Sequence, residues 1–118
     1  MAITIYHNPR CSKSRKTLEF INAAGVKPNV ALYLQDNPDA AEVLKLADML
    51  GMRVAELVRR GESVFKDAED LPDLEDDAAL AAWIAAHPIV LQRPIVVDHE
   101  SGKAIIGRPP ENVHGLLP

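Results

Sequence analysis

The chain has 118 residues, a formal net charge of −4 and 47% hydrophobic residues, which points to one domain with a packed core and excludes a disordered chain. The acidic balance argues against a nucleic-acid partner, and no apolar run approaches the roughly 20 residues that cross a bilayer. Met1 to Tyr6 lacks the basic start and long apolar stretch of a secretory signal, so a cytoplasmic protein with no membrane partner is expected.

Ile3 to His7 reads as a first strand, broken by Asn8-Pro9. A helix follows from about Ser12 to Ala24, with Leu18, Phe20 and Ile21 as apolar positions and Gly25 as its stop. Val30 to Leu34 reads as a second strand, which completes a βαβ unit with parallel strands and a right-handed crossover. After the turn at Gln35-Asp36-Asn37-Pro38, Asp39 caps a helix reaching Leu50 and ended by Gly51. A shorter helix is expected over about Val54 to Arg60. Ser63 to Leu71 is weakly patterned. Residues 67–77 hold seven of the seventeen acidic side chains and read as a solvated loop and helix start. Asp73 to Asp77 are expected to open a helix through Ala86, where early carboxylates favour the helix dipole and His87-Pro88 stops it. Ile89 to Leu91 is a short apolar link. Pro94 to Asp98 and Lys103 to Ile106 read as a hairpin, and Glu111 to Leu117 as closing helical turns.

This order predicts an α/β fold: a thioredoxin-like, four-stranded mixed sheet within a single domain. Its halves fall at about 1–35 and 88–118, with a helical insertion over about 38–87.

Cys11 is the single cysteine, so neither an intramolecular disulfide nor a cysteine-rich zinc site forms within one chain, and no histidine pair has metal-ligand spacing. The segment His7-Asn8-Pro9-Arg10-Cys11-Ser12-Lys13-Ser14-Arg15 places this cysteine where a strand ends and a helix begins. Unpaired N–H groups and the helix dipole there favour an anion, including the thiolate that is the reactive form of cysteine. Arg15 lies one helical turn on, on the same face, and Arg10 and Lys13 add positive charge. The bland reading makes Arg10 and Arg15 solvated charges, Arg59 a surface helix residue and Trp83 core packing.

His-Asn-Pro-x-Cys-x-x-x-Arg after a first strand resembles the glutaredoxin-linked arsenate reductase family. So do His87-Pro88-Ile89-Val90-Leu91-Gln92-Arg93-Pro94-Ile95-Val96-Val97 and Ile106-Gly107-Arg108-Pro109-Pro110-Glu111. The likeness runs from about Ile3 to Leu117 and departs at Ser12-Lys13, where the best-known reductases have Gly-Thr. It implies that Cys11 attacks the substrate and that His7 tunes its ionisation. It makes Arg59, Arg93 and Arg108 the oxyanion-contacting arginines. The residues alone do not choose between Arg59 and Arg60; the motif favours Arg59. Ser14 and Arg15 join the three arginines as candidate substrate-binding residues. The resemblance also implies a cis peptide before Pro94.

Three guanidinium groups suit arsenate because each forks onto two oxygens and keeps its charge at any working pH. Reducing arsenate to arsenite takes two electrons, hence two thiols, and a chain with one cysteine needs an external one. The resemblance supplies glutathione as co-substrate and glutaredoxin as partner, with no bound cofactor. Two alternatives remain: a related glutathione-linked thiol oxidoreductase acting on another substrate, and a redox-type transcription regulator that binds RNA polymerase. Such regulators often carry Cys-x-x-Cys, whereas the matching second position here is Ser14.

Overall fold

The computed structural model describes residues 1–118. Four strands, β1 (Ile3–Tyr6), β2 (Asn29–Ala31), β3 (Ile95–Asp98) and β4 (Lys103–Ile106), form one sheet in the order β2-β1-β3-β4. β1 runs parallel to β2 and antiparallel to β3, and β3 runs antiparallel to β4. The central strands β1 and β3 are buried along their entire length, as their near-continuous apolar runs require. The register pairs Ile5 with Val96 across the antiparallel seam and with Val30 across the parallel one. With the helix α1 (Ser12–Ala23) between β1 and β2, this is the mixed thioredoxin-like sheet that the element order predicts.

The chain divides into two compact units, residues 1–33 with 93–118, and residues 34–92. In the first, Ile3, Ile5, Ile21, Val96, Val113 and Leu116 form a buried cluster, and Leu18, Phe20 and Ile105 pack against it. α1 thus reaches the core through residues spaced at helical intervals, and the closing 3-10 turn Pro110–Gly115 contributes Val113.

The second unit is helical. α2 (Ala40–Leu50) is capped by Asp39, whose carboxylate accepts the Glu42 N–H at 2.8 Å. It ends at Gly51, whose φ of 68° is the left-handed conformation that glycine adopts without a Cβ clash. A short helix α3 (Ser63–Lys66) precedes α4 (Asp77–Ala86), which packs against α2. Trp83 is buried, as core packing predicts, and its indole N–H donates to Asp70 Oδ1 at 3.1 Å.

Three elements differ from expectation. β2 stops at Ala31 rather than Leu34, and residues 33–35 turn. Asp73 opens no helix: its carboxylate accepts the Glu75 N–H at 2.9 Å in a local turn, and Asp76 becomes the cap of α4 through the Ala79 N–H at 3.1 Å. The helix expected over Val54 to Arg60 is a 3-10 turn over Val54–Leu57. Val58 is extended and bridges Leu91, because the Arg59 N–H donates to the Val90 carbonyl at 2.6 Å and the Gln92 N–H to the Leu57 carbonyl at 2.7 Å. Backbone pairing with a distant segment overrides local helix propensity here.

The completely buried Ile5 and the partly exposed Leu44 give a direct test of this packing. Ile5→Ala should lower stability by roughly 2–5 kcal/mol and Leu44→Ala by no more than about 1 kcal/mol, read as urea midpoints at unchanged slope.

Candidate active site

The site begins with the turn that carries the chain from β1 into α1. The Asn8 side chain accepts the Arg10 N–H at 3.0 Å, and the Cys11 N–H donates to the Asn8 carbonyl at 3.0 Å. This turn sets Cys11 at the N-cap of α1 in an extended conformation, φ −90° and ψ 122°. Its carbonyl accepts the Arg15 N–H at 3.0 Å, which is the first helical bond.

Ser14 fixes the geometry from beneath. It is completely buried, and its hydroxyl oxygen accepts the Asn8 N–H at 3.1 Å. The same oxygen lies 2.6 Å from Nδ1 of the buried His7, with the tautomer deciding which group donates. Burial holds the His7 pKa below that of a free imidazole, and the nearby Arg15 charge lowers it further. Both effects disfavour the charged ring, and His7 acts as a hydrogen-bonding group there.

Cys11 is half-buried, and burial alone pushes its thiol up. The N–H groups of Ser14 and Lys13 and the Arg93 guanidinium outweigh that cost and bring the pKa below that of an ordinary thiol. The neutral sulfur makes no strict capping hydrogen bond. The N–H groups thus matter chiefly as oriented dipoles that favour its charged form.

Arg93 and Arg108 share this neighbourhood. Arg93 directs its side chain to the cysteine sulfur, and Arg108 donates from Nη1 to the Arg93 carbonyl at 3.2 Å. Both arginines are partly buried, and both precede cis prolines. The Arg93–Pro94 peptide is cis as the resemblance implies, and the Arg108–Pro109 peptide is cis as well. Arg15 lies exposed at the same helix start, where Nη1 donates to the Pro9 carbonyl at 2.9 Å. Arg10, Ser12 and Lys13 are exposed around the cysteine.

Arg59 belongs to the helical unit, and the bland reading of it as a surface helix residue is corrected. It sits in the extended segment after Val58, its side chain is only 25% exposed, and Nε lies 3.5 Å from Glu62 Oε1. Its neighbour Arg60 is exposed, so the structure separates two residues that the sequence left equivalent.

Three buried residues of the first unit escaped the sequence reading: Asn8, Thr17 and Gly107. Asn8 and Gly107 lie inside the motifs, but nothing in residue type alone marks their contacts. Thr17 has no motif signal at all.

Comparison with known proteins agrees with this architecture. The ArsC family model matches residues 6–116. The arsenate reductase of Neisseria meningitidis serogroup B is 42% identical over 117 residues, 98% of this chain and 97% of that one. The uncharacterized protein YfgD of Escherichia coli K12 is 46% identical over 112 residues, covering 94% of this chain and 92% of its own. The structure of the arsenate reductase from Vibrio cholerae superposes with a TM-score of 0.87 at 40% identity, covering 99% of this chain and 98% of that one. With a family model spanning nearly its whole length, relatives above 40% identity and the same thioredoxin-like fold, the chain belongs to the ArsC family.

Proposed function

We propose that the protein reduces arsenate to arsenite, with Cys11 as the attacking thiolate and glutathione followed by glutaredoxin as the external reductants. The observation that carries this reading is a half-buried cysteine at a helix start, faced by the Ser14 and Lys13 N–H groups and by Arg93, with Arg108 tied to Arg93. A negative sulfur and a negative substrate repel each other. Fixed guanidinium groups offset that repulsion and stabilise the charge that builds on the departing oxygen. The family resemblance makes Arg59 the third arginine in this reading, with Arg15 and Ser14 as further candidate substrate-binding residues.

The chemistry balances with two thiols. Cys11 sulfur bonds to arsenic as one oxygen leaves as water. External thiols then supply the electron pair that takes arsenic from the +5 to the +3 state. In sum, one arsenate and two thiols yield arsenite, one disulfide and water, and Cys11 is regenerated. Ser14 bears on the regulator alternative: the second position of a Cys-x-x-Cys pair is filled by a buried hydroxyl bonded to His7 and Asn8, which has no redox chemistry.

The deciding assay is arsenate-dependent NADPH oxidation in the presence of glutathione, glutaredoxin and glutathione reductase. Cys11→Ser should lose on the order of 10³-fold or more in rate, as when other nucleophiles are removed. A wild-type rate no higher than that of the serine variant sinks the reductase reading and leaves a thiol enzyme of another substrate.

Removing any one of the three arginines should be costly. Arg93→Ala, Arg108→Ala and Arg59→Ala are each expected to cut kcat/KM for arsenate by about 10²- to 10³-fold. Arg93→Lys, which keeps charge and loses the fork, should fall between wild type and alanine.

The pH dependence of Cys11 alkylation gives an independent readout. The lowered pKa means that the thiolate fraction at pH 7 exceeds that of a free cysteine, so iodoacetamide should react faster than with a model thiol. Removing the Arg93 charge destabilises the thiolate, so Arg93→Ala should move the alkylation profile to higher pH and slow the reaction at pH 7. An unmoved profile means that Arg93 does not act on the sulfur.

A further inference from the structure

Gly107 lies between β4 and Arg108, and it packs against α1 more closely than any residue with a side chain can. A Cβ placed there would sit 2.5 Å from Thr17 Oγ1, 3.2 Å from Thr17 Cγ2 and 2.8 Å from Pro94 Cγ. Gly107 has no positive φ, so its backbone conformation does not call for glycine. The requirement is space.

Both residues that it touches lead to the site. Thr17 is completely buried, and its hydroxyl donates to the Lys13 carbonyl at 2.8 Å, which fixes its rotamer back along the helix. Lys13 belongs to the first turn of α1, whose N–H groups face the Cys11 sulfur. Pro94 follows Arg93, and its carbonyl accepts the Gly107 N–H at 2.8 Å. Arg108, the next residue after Gly107, donates to the Arg93 carbonyl at 3.2 Å. The loop before β3 and the loop after β4 are thereby held together and pressed as one body onto the second turn of α1.

We infer that Gly107 and Thr17 are positioning residues: the missing side chain at 107 sets how closely the paired Arg93 and Arg108 loops approach the helix turn that faces Cys11. A single methyl at 107 pushes in two directions. It displaces the Thr17 hydroxyl, which loosens the first turn of α1, and it displaces Pro94, which carries Arg93 away from the sulfur. Interiors are packed tightly enough that neither neighbour absorbs such an overlap without shifting.

The test compares Gly107→Ala, Thr17→Ala and the double variant Thr17→Ala/Gly107→Ala. The readouts are urea unfolding, the pH profile of Cys11 alkylation in the folded protein, and kcat and KM for arsenate. Gly107→Ala should move the alkylation profile to higher pH, slow the reaction at pH 7 by about 3- to 10-fold, and lower kcat/KM by at least about 10-fold. Thr17→Ala removes two of the three overlapping atoms, so the double variant should recover most of the Gly107→Ala loss in both readouts. Non-additivity of that sign marks a direct contact. A Gly107→Ala protein that is less stable but keeps the wild-type alkylation profile overturns the inference, because a purely structural role has that signature. If Gly107→Ala does not fold, the double variant decides: recovery of folding and of the profile supports the contact, and failure of both refutes it. The arsenate arm rests on the reductase reading, whereas the alkylation arm needs no substrate, so a wild type inactive on arsenate leaves the positioning test intact.

Discussion

A sulfur taken out of water is harder to charge, and the first unit of the chain is organised around reversing that cost at one atom. Burial raises the Cys11 thiol, yet the balance falls on the thiolate side because oriented dipoles and a guanidinium face the sulfur together. A helix start exposes N–H groups wherever it occurs, so the dipoles alone distinguish little. Arg93 is the more telling contribution, since it arrives from a segment more than eighty residues away and depends on the whole sheet being formed.

The supporting contacts explain why such a small site holds its shape. His7 is buried, which disfavours its charged form, and its ring serves as a hydrogen-bond partner for Ser14. Ser14 in turn joins the end of β1 to the first turn of α1 by accepting the Asn8 N–H. One buried hydroxyl therefore couples the strand, the turn and the helix. A buried polar group of this kind is tolerable only when its hydrogen bonds are satisfied, and here the His7 ring and the Asn8 backbone meet that condition.

Much of this was legible in the sequence for identifiable reasons. β1, α1 and the β3–β4 hairpin are bounded by strong local signals: Asn8-Pro9, Gly25, Pro94 and the turn at 99–102. The cysteine, Arg93 and Arg108 sit in ordered motifs; Arg93 acts on the Cys11 sulfur, and Arg108 bonds the Arg93 backbone carbonyl. The segment around Arg59 was not legible, because Val54 to Arg60 has ordinary helical composition. Its extended form comes from backbone bonds to Val90 and Gln92, partners about 30 residues on. Asp73 misled for a related reason, since an early aspartate either caps a helix or closes a local turn and the choice lies with Asp76 three residues later.

Gly107 shows a further limit on what the sequence conveys. A glycine after a strand normally signals a turn that needs a left-handed residue, and that explanation fails here. The cause is a neighbour, Thr17, whose position in the middle of a helix gives no hint that it meets the far end of the sheet. Sequence motifs display the groups that do chemistry because their types are unusual. The residues that set distances between those groups are small, ordinary and distant in the chain. Arg93 supplies charge to the Cys11 sulfur, but a charge acts according to its distance from the sulfur. That distance is fixed by where a glycine allows two loops to rest against a helix.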